Sequence, residues 1–135
     1  MSERRWNIFF CMLALALGGC CYVFFRGNSH IAILVRRIVE LESVSWKGCQ
    51  ILSWYLPDFL WGFALACGLV VIYGCERSLG CATVAFVCGC LWELMQFANV
   101  VSGTGDVLDV LMYLAGGLLC IGINMKRRRK DEENC

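Results

Sequence analysis

Four long runs of apolar residues dominate the chain, each bounded by charged or turn-forming residues. They cover residues 6–25, 56–75, 81–101 and 106–124. A helix that rises about 1.5 Å per residue needs about 20 apolar residues to cross a hydrocarbon core of about 30 Å. The pattern therefore predicts an all-α integral membrane bundle of four transmembrane helices, which form a single domain over residues 1–135.

The first run also has features of a cleavable signal peptide. Residues 17–20, Leu-Gly-Gly-Cys, look somewhat like the cleavage motif of a lipoprotein. The apolar run nevertheless continues past Cys20 to Phe25, whereas the apolar part of a signal peptide is only about 7–15 residues long. We therefore expect residues 6–25 to remain as a transmembrane helix.

The segment between the first two runs, residues 26–55, mixes charged and apolar side chains and is too polar to cross a bilayer. A segment of this kind can lie in the membrane interface as an amphipathic helix. Trp46, Trp54 and Tyr55 fit the aromatic belt found at that depth. We predict an interfacial segment between the first and second transmembrane helices.

Short polar segments set the expected ends of the helices. Pro57 suits the first turn of the second span, and Asp58 follows it where the helix dipole favours an anion. Residues 76–80 and 102–105 are predicted to form the turns before the third and fourth spans. The basic run at 126–130 is predicted to stop the fourth helix.

Composition excludes an ordinary soluble domain. The chain is 59% hydrophobic with a mean hydropathy of +0.65, and a small globule buries only part of the apolar surface it carries. The basic cluster at 126–130 favours a cytoplasmic membrane flank over nucleic-acid binding. The expected partner is the lipid bilayer, with no nucleic acid.

Eleven cysteines raise the question of disulfides and metal sites. Nine of them lie in or beside apolar runs, where a free cysteine behaves as a small hydrophobic residue. Cys88 and Cys90 are spaced Cys-x-Cys, and no Cys-x-x-Cys pair occurs, so the usual zinc signatures are missing. We predict neither a disulfide framework nor a cofactor, and leave open whether a metal binds.

The distribution of Lys and Arg predicts that both termini face the cytoplasm. This orientation places eight of these residues inside and four outside, in agreement with the cytoplasmic excess of positive charge in membrane proteins. An even number of spans is consistent with it.

Four acidic residues and one amide at membrane depth or its edge are the candidate functional residues. With the orientation above, Asp58, Glu93, Gln96, Asp106 and Asp109 all lie toward the outer side. Charged side chains at this depth are costly and indicate function by default. The short connection at the start of the fourth helix brings the third helix close to it. The sequence therefore predicts a convergent ligand-binding site that opens outward.

Structural interpretations of the same residues compete with a ligand site. Asp58 and Asp106 are also placed to cap helices. Glu93 lies about three turns from water, so it must be protonated, paired or beside a wet cavity. It can be paired by a neighbouring polar side chain, or by Arg36 or Arg37 folding back from the outer segment.

Residues 91–123 resemble the C-terminal half of the VanZ-like membrane proteins. In that family a Glu and a Gln three apart precede a short polar turn, and the next helix carries two Asp three apart and then a Gly. The segment 56–65 resembles the start of an earlier family helix, so the resemblance covers about residues 56–122. The matching residues here are Asp58, Glu93, Gln96, Asp106, Asp109 and Gly116.

The chain departs from the family pattern at several positions. Tyr113 stands where the family often has Asn. Phe59 and Gly62 replace a Lys and a His that often follow the first Asp, and residues 102–105 lack the usual Arg. These departures bear on the ligand more than on the fold.

The resemblance implies a protein of the bacterial cytoplasmic membrane that acts at the cell envelope. The family is named for a protein linked to low-level teicoplanin resistance. We expect a non-catalytic protein that binds a polar or lipid-linked ligand, or a cation, at the acidic residues, with a relation to glycopeptide tolerance. One alternative is a membrane enzyme that acts on a lipid headgroup through carboxylate-bound Mg²⁺. Another is a small proton- or cation-coupled transporter, which would have to form a homo-oligomer.

Overall fold

The structure is a computed structural model that describes residues 3–25, 50–101 and 103–133. The described part is all helical, with four long helices and one short 3₁₀ turn, as predicted for the fold class. The predicted interfacial segment falls mostly on residues 26–49, which lie outside the described residues. The elements are α1 (Glu3–Phe25), α2 (Gln50–Tyr73), the 3₁₀ turn (Cys75–Arg77), α3 (Ser78–Phe97) and α4 (Val107–Glu133).

Three segments of the described chain are long and apolar enough to cross a membrane. They are Trp54–Tyr73, Cys75–Phe97 and Val107–Lys130. These segments indicate a multi-pass membrane protein and agree with the second, third and fourth predicted spans. The predicted first span is helical within α1 but is not among these three segments, so it stays a prediction.

The start of α2 corrects the sequence prediction. The helix begins at Gln50 instead of Leu56, so Pro57 lies inside the helix and Asp58 is two turns from its start. A proline inside a helix removes one backbone hydrogen bond. Membrane helices tolerate this loss where neighbouring groups satisfy the freed carbonyl. Pro57 was therefore a misleading start signal, and residues 50–55 belong to α2.

The connection between α2 and α3 is shorter than predicted. Gly74 ends α2 with a φ of 95°, a conformation that glycine adopts without steric cost. The 3₁₀ turn follows at once, and α3 begins at Ser78. The predicted turn at residues 76–80 is therefore wrong, since most of that segment is already helical.

The end of α3 also comes earlier than predicted. The helix stops at Phe97 because Asn99 adopts a left-handed φ of 56°. The backbone N–H of Asn99 donates to Gln96 O at 3.0 Å, and that of Val100 donates to Met95 O at 2.9 Å. This pair of bonds is the Schellman motif, which satisfies the last carbonyls of a helix. Because Val100 is apolar, the sequence pattern continues past Phe97 and does not show where the helix ends.

At its far end α4 is longer than predicted. It runs through the basic residues 126–130 and ends at Glu133. Lys and Arg are good helix formers, and cations near a helix C-terminus interact favourably with its dipole. The basic run therefore limits the part of α4 that can lie in hydrocarbon, but it does not stop the helix.

The helices alternate in direction, so the bundle has two distinct ends. Along α1 and α2, Cys11 lies against Gly68 and Gly18 lies against Leu60, so these helices are antiparallel. We call the end that holds the start of α1 and the last turns of α4 the basic end. The end that holds the starts of α2 and α4 and the last turn of α3 is called the acidic end.

Small side chains let the helices approach closely, and α2 packs on each of the other three. A Cβ on Gly116 would lie only 2.6 Å from Phe59 O and 2.7 Å from Phe63 N, so α4 touches the backbone of α2 there. Close approach at small residues is the usual basis of helix association in lipid. The core contains Ala64, Ala66, Cys67, Ala82, Ala85 and Cys120.

All nine cysteines of the described segments are free thiols. The closest approach is between α2 and α4, where Cys67 Sγ lies 3.6 Å from Cys120 Sγ, and both residues are buried. Cys49 and Cys135 lie outside the described residues. The described cysteines thus serve as small core residues or line surfaces.

A pair of amides ties α1 to α4 at the basic end, which the sequence did not predict. Asn7 Nδ2 donates to Asn124 Oδ1 at 2.9 Å, and Asn124 Nδ2 donates back to Asn7 Oδ1 at 3.3 Å. The remaining donors reach the Glu3 and Cys120 carbonyls at 3.1 and 2.8 Å. The two amides are 0% and 1% exposed, so this is a buried, neutral and well-bonded network.

Candidate functional site at the acidic end

Glu93 joins α3 to the start of α4. It is only 6% exposed, and its Oε2 accepts a hydrogen bond from the backbone N–H of Asp106 at 3.1 Å. The bond reaches across the connection that follows α3. Glu93 therefore points into the bundle and toward the start of α4, on the side where the sequence placed it.

Asp106 caps α4 and also contacts α2. Its Oδ1 accepts from the backbone N–H of Leu108 at 2.9 Å, which is the bond of an N-cap residue. Its Oδ2 accepts from the Tyr55 hydroxyl at 3.2 Å. The capping interpretation is thus right for Asp106 but incomplete, because the same carboxylate links two helices.

Asp58 does not cap a helix, because it lies inside α2. Its Oδ1 accepts a hydrogen bond from the Tyr113 hydroxyl of α4 at 3.0 Å. Tyr113 is 7% exposed. A Cβ at Gly62 would lie 3.0 Å from Tyr113 Cα, and one at Gly89 would overlap the tyrosine ring. Two glycines on α2 and α3 therefore make room for Tyr113 between those helices.

Asp109 lies in the first turn of α4 and is partly exposed. Its backbone N–H donates to Asp106 O at 3.2 Å. Its carboxylate is close enough to interact electrostatically with both Tyr55 and Tyr113. Glu93 and Asp58 act on Tyr113 in the same way. Asp109 therefore belongs to the same group of side chains as the other three acids.

Gln96 holds the connection between α3 and α4 in place. With its amide oriented to satisfy its neighbours, Gln96 Nε2 donates to Thr104 O at 3.2 Å, and Oε1 accepts from Trp92 Nε1 at 2.7 Å. The partners of Gln96 are thus a loop carbonyl and an indole.

The five predicted site residues all lie at the acidic end. Three hydrogen bonds link members of this group to aromatic side chains: Tyr55 to Asp106, Tyr113 to Asp58, and Trp92 to Gln96. Arg36 and Arg37, which the sequence offers among the alternative partners for Glu93, lie outside the described residues. Sequence reasoning missed Tyr113 as a site residue and assigned Tyr55 to the aromatic belt. A tyrosine within an apolar helix is itself a signal, because a buried hydroxyl needs a hydrogen-bond partner.

Among the described residues, the charge of this region is one-sided. From Gln50 to Met125 the sequence contains one basic residue, Arg77, and that residue lies at the opposite end of the bundle. The described acidic end contributes carboxylates, hydroxyls and amides. A region of this composition attracts hydrogen-bond donors and positive charge.

An apolar cavity of about 500 Å³ lies beside the acidic residues, between α1, α2 and α3. Two of its lining side chains also belong to the polar cluster, since Tyr113 bonds Asp58 and Trp92 bonds Gln96. The cavity and the cluster therefore share a boundary made of aromatic rings with polar tips. Other lining residues include Cys11, Leu15, Trp61, Leu65, Cys88 and Gly89.

Within residues 3–25, 50–101 and 103–133, no group of three or more His, Cys, Asp or Glu side chains is arranged to hold a metal ion. The alternative of a membrane enzyme with carboxylate-bound Mg²⁺ is therefore supported only by the sequence.

No family model matches the chain, and neither a curated protein nor a solved structure matches it. The resemblance to the VanZ-like family thus stays a hypothesis based on the spacing of Glu93 and Gln96, of Asp106 and Asp109, and on Gly116.

Proposed function

We propose that this multi-pass membrane protein binds an amphipathic, lipid-linked ligand without chemically transforming it. The polar head lies against the acidic residues, and the apolar chain lies in the adjoining cavity. The observation that carries the proposal is the position of Tyr113. Its ring lines the cavity while its hydroxyl bonds Asp58, so one side chain contacts both halves of the ligand.

The head of this ligand carries hydrogen-bond donors, either hydroxyl groups or an ammonium group. Carboxylates are acceptors when ionised, and hydrogen bonds to charged groups are the stronger ones. The acids of the cluster, Asp58, Glu93, Asp106 and Asp109, are complementary to such a head. A head made only of anionic groups would be repelled.

Selectivity for the ligand comes from its head. A chain that leaves the bilayer for the cavity exchanges one apolar environment for another, so the hydrophobic effect contributes little. Each hydrogen bond that a head makes, and that a competing lipid cannot make, contributes about 1 kcal/mol. Two or three such bonds suffice for a preference of roughly 30-fold to 150-fold.

A lipid panel tests this proposal on the purified protein by native mass spectrometry. The panel contains phosphatidylethanolamine, a monoglycosyl diacylglycerol and phosphatidylcholine with matched acyl chains. We expect one of the first two to bind at least about tenfold more tightly than phosphatidylcholine, whose head lacks donors. Equal binding of all three lipids would refute the proposal.

Variants locate the binding site within the same assay. Glu93→Gln and Tyr113→Phe should each remove the preference. Leu65→Trp should reduce binding of every lipid, because Leu65 lines the cavity. The control is Glu76→Gln, which removes an exposed carboxylate at the basic end. If Glu76→Gln and Glu93→Gln have equal effects, net charge controls binding and the site is not at the acidic end.

We further propose that the chain is a VanZ-like protein of the bacterial cell envelope, with its basic end in the cytoplasm. The support is the sequence spacing, together with the meeting of Glu93 and Asp106 in one cluster. Deletion in the source bacterium should then change susceptibility to teicoplanin. Unchanged susceptibility would contradict the link to glycopeptide tolerance but would not affect the lipid-binding assay.

A further inference from the structure

The basic residues at the end of α4 point in different directions. Arg127 turns toward α1, where its guanidinium carbon lies 4.9 Å from the centroid of the Trp6 ring and 5.1 Å from that of Phe10. This geometry is a cation–π interaction. Arg127 thus contacts α1, whereas Lys126, Arg129 and Lys130 are exposed.

A cleft of about 590 Å³ lies among those outward-facing side chains. Lys126, Arg129 and Lys130 line it together with Gly122 and Met125. Arg129 and Lys130 follow Lys126 by three and four residues, so the three cations lie on one face of the helix. A Cβ on Gly122 would meet no other atom within 4 Å, so the floor of the cleft is open.

The cleft lies where α4 leaves the apolar part of a membrane. The membrane-compatible part of α4 runs from Val107 to Lys130, so the cations are at its last turns. One turn before Gly122, Leu118 and Leu119 are 58% and 44% exposed. An apolar surface followed by cations with open space between them is complementary to a lipid that has chains and an anionic head.

We propose that this cleft binds the phosphate of an anionic phospholipid. The phosphate lies over Gly122 between the Lys and Arg side chains, and the acyl chains follow Leu118 and Leu119. The site is separate from the acidic end and takes a ligand of opposite charge. It gives the basic end a lipid preference of its own, independent of the function proposed above.

Binding of dioleoylphosphatidylglycerol to the purified protein tests the proposal, again by native mass spectrometry. Phosphatidylcholine with the same chains should bind at least about fivefold more weakly, and higher salt should reduce the difference because exposed charges are screened. Inorganic phosphate should not displace the bound lipid. Equal binding of the two lipids would overturn the proposal, and displacement by inorganic phosphate would show an anion site that does not recognise a lipid.

Two matched pairs of variants test the position of the site. Arg129→Gln should weaken phosphatidylglycerol binding about fivefold, whereas Arg128→Gln, which removes the same charge beside the cleft, should not. Gly122→Leu should block the cleft without changing any charge. Its control is Gly19→Leu, because a Cβ at Gly19 also meets open space. Equal effects within either pair would mean that diffuse charge or a general helix effect, and not this cleft, governs binding.

Discussion

The two ends of the bundle use buried polar side chains in opposite ways. At the basic end, Asn7 and Asn124 donate to each other and are essentially fully buried. At the acidic end, Glu93 and Asp106 meet across a helix connection, and Asp58 accepts from Tyr113 beside a cavity. The amide pair is neutral and enclosed, whereas the acidic cluster adjoins open space.

The difference follows from the cost of charge in a low-dielectric environment. A neutral amide whose hydrogen bonds are made is inexpensive to bury and serves to hold helices together. A carboxylate at membrane depth is costly even when paired. Stability alone would favour amides at both ends. The amides at the basic end hold helices together, and the costly acids at the other end are consistent with the binding role that we propose for them.

The largest expected effect comes from separating α4 from α2, because both ends depend on α4. Gly116→Val places a side chain against the Phe59 and Phe63 backbone and should cost about 3 kcal/mol of unfolding free energy. Unfolding by dodecyl sulfate in mixed micelles, followed by tryptophan fluorescence, measures this. The control Gly122→Val, in open space, should be close to neutral. Equal losses would mean that α4 does not pack closely at Gly116.

The next largest effect concerns the amide pair at the basic end alone. Asn7→Leu removes the side-chain partner of Asn124 in a buried site and should cost about 2 kcal/mol of unfolding free energy. The double variant with Asn124→Leu should cost less than the sum of the two single variants, because no amide is then left without its partner. Additive losses in the same unfolding assay would show that the two amides do not act as a pair.

A smaller effect is expected from a hydroxyl at the acidic end. Tyr113→Phe keeps the ring between α2 and α3 but removes the hydrogen bond to Asp58. We expect a loss of about 1 kcal/mol in unfolding free energy. Tyr73→Phe, at an exposed position, is the matched control and should be neutral. If both variants behave alike, the Tyr113 hydroxyl does not contribute to helix association.

The smallest effect is expected at Glu93, and it tests most directly whether the acidic end contributes to stability. Glu93→Gln removes the acidic group but keeps an oxygen that can accept from the Asp106 N–H, so unfolding free energy should change by less than about 0.5 kcal/mol. Glu93→Leu removes the acceptor and should cost about 1–2 kcal/mol. Equal losses for the two variants would mean that the negative charge itself stabilises the fold, and the acidic end would then be structural.

Helix ends were the least predictable part of the fold. The sequence predicts that Pro57 starts a span and that the basic residues 126–130 stop one, yet both lie inside helices. Proline does favour the first turn of a helix, but packing along α2 outweighs this preference here. Lys and Arg mark the end of the apolar segment of α4 and not the end of the helix, because they are good helix formers and suit a helix C-terminus. By contrast, Asn99 ended α3 through its own left-handed backbone.

Partners between helices were predicted only where the chain connection is short. Glu93 and Asp106 flank the connection between α3 and α4, so their meeting could be expected from the sequence. Asn7 and Asn124 are 117 positions apart, and no local pattern relates them. The sequence distinguishes Tyr113 only as a departure from a family pattern, although the structure places it at the boundary between cavity and cluster.

The sequence by itself determined that the described part of the chain is helical, that at least three of its segments suit a membrane, and that the four candidate acids lie at one end. These properties depend on local composition, helix length and the alternation of direction. The tertiary structure decided which side chains touch, that Tyr113 lies between α2 and α3, and that an amide pair joins α1 to α4 at the opposite end. Such choices depend on which glycines allow close approach between helices far apart in sequence, and that is a property of packing in three dimensions.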